Sequence, residues 1–139
     1  MSHDAGAPGP AIPRSLKAAA LCFLLFAVAV LLNSATQSAA GWMVPRRILH
    51  SGFRVVGAGA VAWGLLRGAR WAWVLGLLLG SFWLVTGLLT VLVLDHRELE
   101  WLRPSSFQVF LFASLASLGL AVALLLSPAA RQALRRPGV

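Results

Sequence analysis

Four apolar stretches, each long enough to cross a lipid bilayer as a helix, occupy most of this 139-residue chain and limit the folds that it can adopt. A helix rises about 1.5 Å per residue, so about 20 apolar residues span the hydrocarbon core. A helix satisfies its own backbone amides in lipid, and no strand-like alternation of polar and apolar residues competes with it. The sequence therefore predicts four spanning helices, over residues 16–37, 45–66, 71–94 and 105–126.

The composition indicates that the bilayer is the solvent of this chain. Hydrophobic residues make up 59% of it and charged residues only 12%, and a chain this short has a high ratio of surface to volume. We expect one domain over residues 14–127. Its predicted spans are joined by short connections, which favour antiparallel neighbours. The predicted fold class is all-α, a membrane-embedded up-down four-helix bundle.

The basic residues predict the orientation of the bundle, because cytoplasmic loops are enriched in Lys and Arg. An N-in, C-in arrangement places seven of the twelve on the cytoplasmic side and five on the external side. Arginine accounts for eleven of the twelve, a bias common in GC-rich bacterial genes, so we expect a bacterial inner membrane. The cytoplasmic set is Arg14, Lys17, Arg67, Arg70, Arg131, Arg135 and Arg136, and the external set is Arg46, Arg47, Arg54, Arg97 and Arg103.

Both ends of the chain differ from the apolar spans. Residues 1–13 are rich in Gly, Pro and Ala and are predicted to be disordered. Residues 128–139 form a basic cytoplasmic tail, in which Ser127-Pro128 predicts the start of a short interfacial helix. In a soluble protein the net charge of +8 would suggest binding to nucleic acid, but here the basic residues flank apolar spans. We therefore expect anionic lipid headgroups as partners, and no nucleic acid, at Arg131, Arg135 and Arg136.

The first apolar stretch has an alternative interpretation as a cleaved signal peptide. Arg14 and Lys17 form a positive region, residues 18–32 an apolar region, and Ser38-Ala39-Ala40 a possible cleavage site. The apolar region is at the upper length limit for signal peptides, so we favour a retained helix. Either alternative leaves the other three spans in the same orientation.

A basic stripe in the second span is the main candidate site. Arg46, His50 and Arg54 recur every four residues, and Arg54 would lie below the outer membrane boundary. Asp95 and Glu98 lie on the same predicted side, so the simplest interpretation is an ion-pair cluster that caps the bundle. Alternatively, the stripe binds a small anion or a lipid headgroup, since the planar guanidinium suits phosphate and carboxylate. A metal site at His50, Asp95 and His96 is the least favoured, because no metal-binding motif is present.

Small residues in the third span predict close helix packing. Gly76 and Gly80 have the spacing small-xxx-small, and Gly87 follows one heptad after Gly80. Such a flat surface lets another backbone approach closely. Contact within the bundle is the favoured interpretation, and a homodimer interface is the alternative.

No sequence motif indicates a catalytic activity, a cofactor or a metal. The segments RGARWAWVLGLLLG and LLLSPAARQALRR resemble stretches of many small, uncharacterised bacterial four-helix integral membrane proteins. This resemblance implies a topology and no activity. We expect a non-enzymatic accessory, scaffold or homo-oligomerising membrane protein. The alternatives are a small oligomeric channel or transporter and, less favoured, a membrane enzyme that uses the external polar cluster.

Overall fold

The computed structural model describes residues 12–39, 41, 45–96 and 105–135, with the side chains of residues 12–39, 41, 48–93 and 108–132. Each regular element in these residues is an α-helix. Four of them are long and apolar enough to cross a membrane, which confirms the all-α class and the four apolar helices. The helices are α1 (Arg14–Ala39), α2 (Pro45–Leu66), α3 (Arg70–His96), α4 (Ser105–Leu126) and α5 (Pro128–Arg135).

The turn between α2 and α3 depends on the backbone conformation of a glycine just after the end of α2. Gly68 has a φ of 70°, a left-handed conformation that glycine adopts without steric cost. The Gly68 amide donates to the Leu65 carbonyl at 3.0 Å, and the Ala69 amide donates to the Gly64 carbonyl at 2.9 Å. This pair of bonds is the Schellman motif, which ends α2 and lets α3 begin at Arg70.

The first and last described segments of the chain pack against the four long helices. Residues 1–11, most of the segment predicted to be disordered, lie outside the described residues, whereas Ile12 packs against the core. The short helix α5 begins after Ser127, whose Oγ accepts a hydrogen bond from the Ala130 amide at 3.4 Å. Ala130 is fully buried, and α5 contacts both α4 and α1.

Helix α1 contributes more of the interior than any other described helix. It packs against α2 and α4, and α3 packs against the same two helices. Half of the apolar window of α1 is buried, compared with 17 to 28% of the windows of the other three long helices. The Ala-rich stripe of α1 lets its neighbours approach closely, and Phe23 and Phe26 extend from it into the interior.

The interior is divided into two halves of different packing. The compact half comprises residues 16–30, 58–65, 72–83 and 118–125 of the four long helices, and apart from Ala130 every buried hydrophobic residue lies there. The polar half comprises the other halves of the same helices, 31–39, 48–57, 84–93 and 108–117. None of its described residues is buried. Two residues of the candidate site, His50 and Arg54, lie in the polar half.

Candidate functional site

Arg54 lies on the face of α2 that turns towards the other helices. It continues the buried stripe of Ala58, Val61 and Leu65 at intervals of three and four residues, which is the period of one helix face. Arg54 is half-buried, and its Nε atom is shielded from solvent. That Nε has no hydrogen-bond partner in the part of the chain that the structure describes. Arg54 is therefore a buried donor without an acceptor on this inner face.

The other members of the predicted basic stripe are placed differently. His50, one turn before Arg54, is exposed. Arg46 belongs to the first turn of α2, but its side chain lies outside the described ones. The described part of the stripe thus has one inward-facing cation and one exposed imidazole.

The predicted acidic partners lie at the edge of the described chain. Asp95 belongs to the last turn of α3, but its side chain is not among those described. Glu98 lies outside the described residues altogether. The ion-pair cluster of Arg54 with Asp95 and Glu98 therefore stays a prediction.

A stacked aromatic pair separates Arg54 from the compact half. Phe26 of α1 and Trp83 of α3 lie with ring centroids 5.2 Å apart and planes at 19°. A Cβ placed at Gly57 of α2 would be only 3.0 Å from the Trp83 ring, so α2 lies directly against this pair. Arg54 is three residues before Gly57, about 4.5 Å further along α2. The pair thus forms an apolar layer at the boundary between the polar half and the compact half.

The hydroxyl and amide side chains of the polar half bond mostly within their own helices. Gln37 Nε2 donates to Asn33 Oδ1 at 3.1 Å on α1. Such local bonds are the usual way for short polar side chains to satisfy themselves in apolar helices. The hydroxyls donate to backbone carbonyls three or four residues earlier, in Thr36, Ser38, Thr86, Thr90, Ser114 and Ser117.

The three glycines of the third span contact side chains of neighbouring helices. A Cβ at Gly76 would lie 3.0 Å from Val61 Cγ1 and 3.1 Å from a Leu125 methyl. At Gly80 the nearest atom is Val122 Cγ2, at 3.0 Å. At Gly87, in the polar half, it is a Leu115 methyl at 2.5 Å.

Two tryptophans at the compact end make specific contacts, one a hydrogen bond between helices and the other a cation–π contact. Trp73 Nε1 donates to the Leu125 carbonyl at 2.9 Å, which ties the start of α3 to the end of α4. The Arg67 guanidinium lies 3.8 Å from the centroid of the Trp63 ring, a cation–π geometry. Sequence reasoning did not single out Gly57, which lies against the Trp83 ring. No signal in the sequence identifies these specific pairings, since they depend on the relative rotation of the helices.

The described residues thus define an all-α protein with four helices able to cross a membrane and one inward-facing arginine. Among them, no group of three His, Cys, Asp or Glu residues could hold a metal ion. Comparison with protein-family models, with curated proteins and with solved structures gives no match. The function must therefore be argued from this geometry alone.

Proposed function

We propose that this chain is an integral protein of a bacterial inner membrane that acts as a non-enzymatic scaffold or accessory subunit. Its four long helices cross the bilayer as an up-down bundle, with both termini in the cytoplasm. It works by packing its outer helix faces against a second copy or against another membrane protein. The basic α5 segment rests on anionic headgroups at the cytoplasmic surface.

The packing of the compact half is the observation that carries this proposal. No residue that the structure describes as buried is polar or charged. Phe23, Val61, Leu118 and Leu125 fill the space between the four helices, each with at most 1% of its surface exposed. A pathway for ions or polar solutes needs polar groups along its wall. A single copy of this bundle therefore supports packing better than conduction.

The burial of α1 also supports its retention in the mature protein. Removal of residues 1–40 would take away Phe23, which lies against Gly76 and Gly80. It would also take away the helix that contacts both α2 and α4. We expect the intact mass of the membrane-extracted protein to include residues 1–40, apart from loss of the initiator Met. A chain starting at Gly41 would contradict this.

A flux measurement tests the scaffold function against the channel or transporter alternative. The full chain is reconstituted in liposomes, and its copy number is read by native mass spectrometry from the same preparation. We expect ion and dye release at the rate of protein-free liposomes, together with a defined oligomer. Release that increases with protein density would contradict the proposal and favour a channel between copies.

Reporter fusions test the proposed orientation separately. Fusions at residue 69, in the turn between α2 and α3, and after residue 139 are expected to report a cytoplasmic location. A periplasmic signal at either position would overturn the N-in, C-in arrangement, because this arrangement places both positions in the cytoplasm.

A further inference from the structure

We propose that Arg54 binds the phosphate group of an anionic phospholipid, drawn from the external leaflet into the polar half beside α2. This inference goes beyond the scaffold function and does not depend on it. Phosphate binding requires only that α2 lies in a bilayer, and the choice of the external leaflet rests on the proposed orientation. Four features of the described residues support it.

The first feature is the buried donor. Arg54 Nε is shielded from solvent and lacks an acceptor among the described residues. A donor left without a partner in an apolar surrounding carries an unfavourable desolvation energy. Arg54 as a whole is partly exposed, so a ligand can reach the side chain from the surface of the domain.

The second feature is that no polar group among the described residues accepts a hydrogen bond from Arg54 Nε. Six hydroxyls of the polar half donate to carbonyls of their own helices and Asn33 Oδ1 accepts from Gln37, whereas no described oxygen accepts from Arg54 Nε. No polar or charged residue is buried among the described residues of the compact half beneath the Phe26–Trp83 pair. The acceptor therefore comes from a side chain outside the described ones, such as Asp95, or from a ligand.

The third feature is the chemistry of the guanidinium itself. It is planar, permanently charged, and presents its donors in a fork that matches two oxygens of a phosphate. Bonds of this kind to an anionic oxygen are shorter and stronger than those between neutral groups. A phosphate would supply both the missing acceptor and a countercharge.

The fourth feature favours a lipid over a free anion as the source of the phosphate. Next to Arg54, α2 exposes large apolar side chains, and Leu49, Phe53 and Val56 are 77, 60 and 72% exposed. They offer a surface along which acyl chains can lie. Side chains on a helix tilt towards its N-terminus, so Arg54 leans towards the Pro45 end and the external leaflet of the proposed orientation.

The test measures lipid retention by the delipidated full chain in detergent with native mass spectrometry. Three probes are titrated separately: phosphatidylglycerol, diacylglycerol without a phosphate, and inorganic phosphate. We expect the wild type to bind phosphatidylglycerol at least about 10-fold more tightly than either of the others, a difference of about 1.4 kcal/mol. Equal binding of diacylglycerol would overturn the phosphate site. Inorganic phosphate binding as tightly as phosphatidylglycerol would overturn the lipid source.

Variants assign this binding to Arg54. Arg54→Gln is expected to lose the preference for phosphatidylglycerol, and Arg54→Lys to keep part of it, because the ammonium retains the charge without the fork. Arg67→Gln removes the same charge from the turn directly after α2 and is expected to bind as the wild type does. Wild-type retention by Arg54→Gln would overturn the proposal. If Arg54→Gln fails to fold, the proposal is tested by the preference for phosphatidylglycerol of the wild type and of the Arg54→Lys variant.

An internal ion pair with Asp95 is the competing explanation, and the same preparations exclude or establish it. With a lipid phosphate as partner, Arg54→Gln in lipid-free detergent is expected to unfold at the wild-type temperature or above it. Asp95→Asn is expected to leave the preference for phosphatidylglycerol intact. If each substitution lowers the unfolding temperature and the double variant costs less than the sum, Arg54 and Asp95 are paired. That result would overturn the lipid site.

Discussion

The compact half and the polar half are built from the same four helices, yet they pack differently. In the compact half, small residues let the backbones approach, and the large side chains of Phe23, Phe26 and Trp83 fill the remaining space. In the polar half no described residue is buried, and Arg54 faces inward. Because lipid is as apolar as a leucine side chain, helix association in a membrane depends on close packing. The compact half therefore stabilises the fold, and the polar half is free to carry a binding group.

The largest expected difference between the halves comes from removing a large side chain of α1. Phe23→Ala should leave a cavity between α1, α3 and α4, since Phe23 is fully buried beside Gly76 and Gly80. We expect a loss of about 3 kcal/mol in the free energy of unfolding, at the low end of the Phe→Ala range because lipid replaces water as the reference. Unfolding in detergent measures it. The control Leu31→Ala removes a 53% exposed side chain from the polar half of the same helix and should cost less than about 1 kcal/mol. Equal losses of unfolding free energy in the two variants would contradict the difference in packing between the two halves.

Two glycines give a sharper comparison, because a methyl group added at either would meet another atom at 2.5 Å. At Gly64 that atom is Ala72 Cβ, which is fixed to the backbone of α3. At Gly87 it is a Leu115 methyl, which can rotate away in the loosely packed polar half. We expect Gly64→Ala to destabilise by about 2 kcal/mol and Gly87→Ala by less than 1, measured by unfolding in detergent. Gly119→Ala meets nothing within 4 Å and should be neutral or stabilising. The reverse order of Gly64 and Gly87 would contradict the assignment of the halves.

A smaller effect is expected at the hydrogen bond that joins α3 to α4. Trp73→Phe keeps most of the ring and removes the donor to the Leu125 carbonyl. The expected loss is about 1 kcal/mol, the usual net value of one hydrogen bond. Trp71→Phe, at a ring that is 49% exposed, serves as the control in the same unfolding experiment. If the two variants unfold alike, the bond to Leu125 does not stabilise the compact half.

Much of the fold could be predicted from apolar length alone. Each predicted span lies within one long helix of the structure, because a run of about 20 apolar residues has few other stable forms in lipid. The predicted second span, 45–66, has the bounds of α2, which begins at Pro45, a residue that suits the first turn of a helix, and ends two residues before Gly68. These are local signals, and local signals are readable in one sequence.

The rotation of each helix about its axis could not be predicted in the same way. The helices are apolar on nearly every side, so the sequence does not mark which face turns inward. The spacing of Arg46, His50 and Arg54 predicted one basic face, but it did not indicate that His50 is exposed and Arg54 half-buried. The stacking of Phe26 on Trp83 against Gly57 likewise depends on three helices meeting at one level. Pairings of this kind follow from packing, which a single sequence does not display.

Water access to single cysteines tests the division into two halves most directly. Cys22, the sole native cysteine, is first replaced by the substitution Cys22→Ala. Single cysteines are then introduced into this variant one at a time, and each variant is exposed to a membrane-impermeant maleimide in liposomes. We predict that Ser51→Cys and Ser114→Cys, in the polar half, are labelled. Ala62→Cys and Ala121→Cys, at fully buried positions of the compact half, should stay unlabelled until the protein is unfolded. Rapid labelling of Ala62→Cys or Ala121→Cys in folded protein would show a water-filled path through the compact half and would contradict the account.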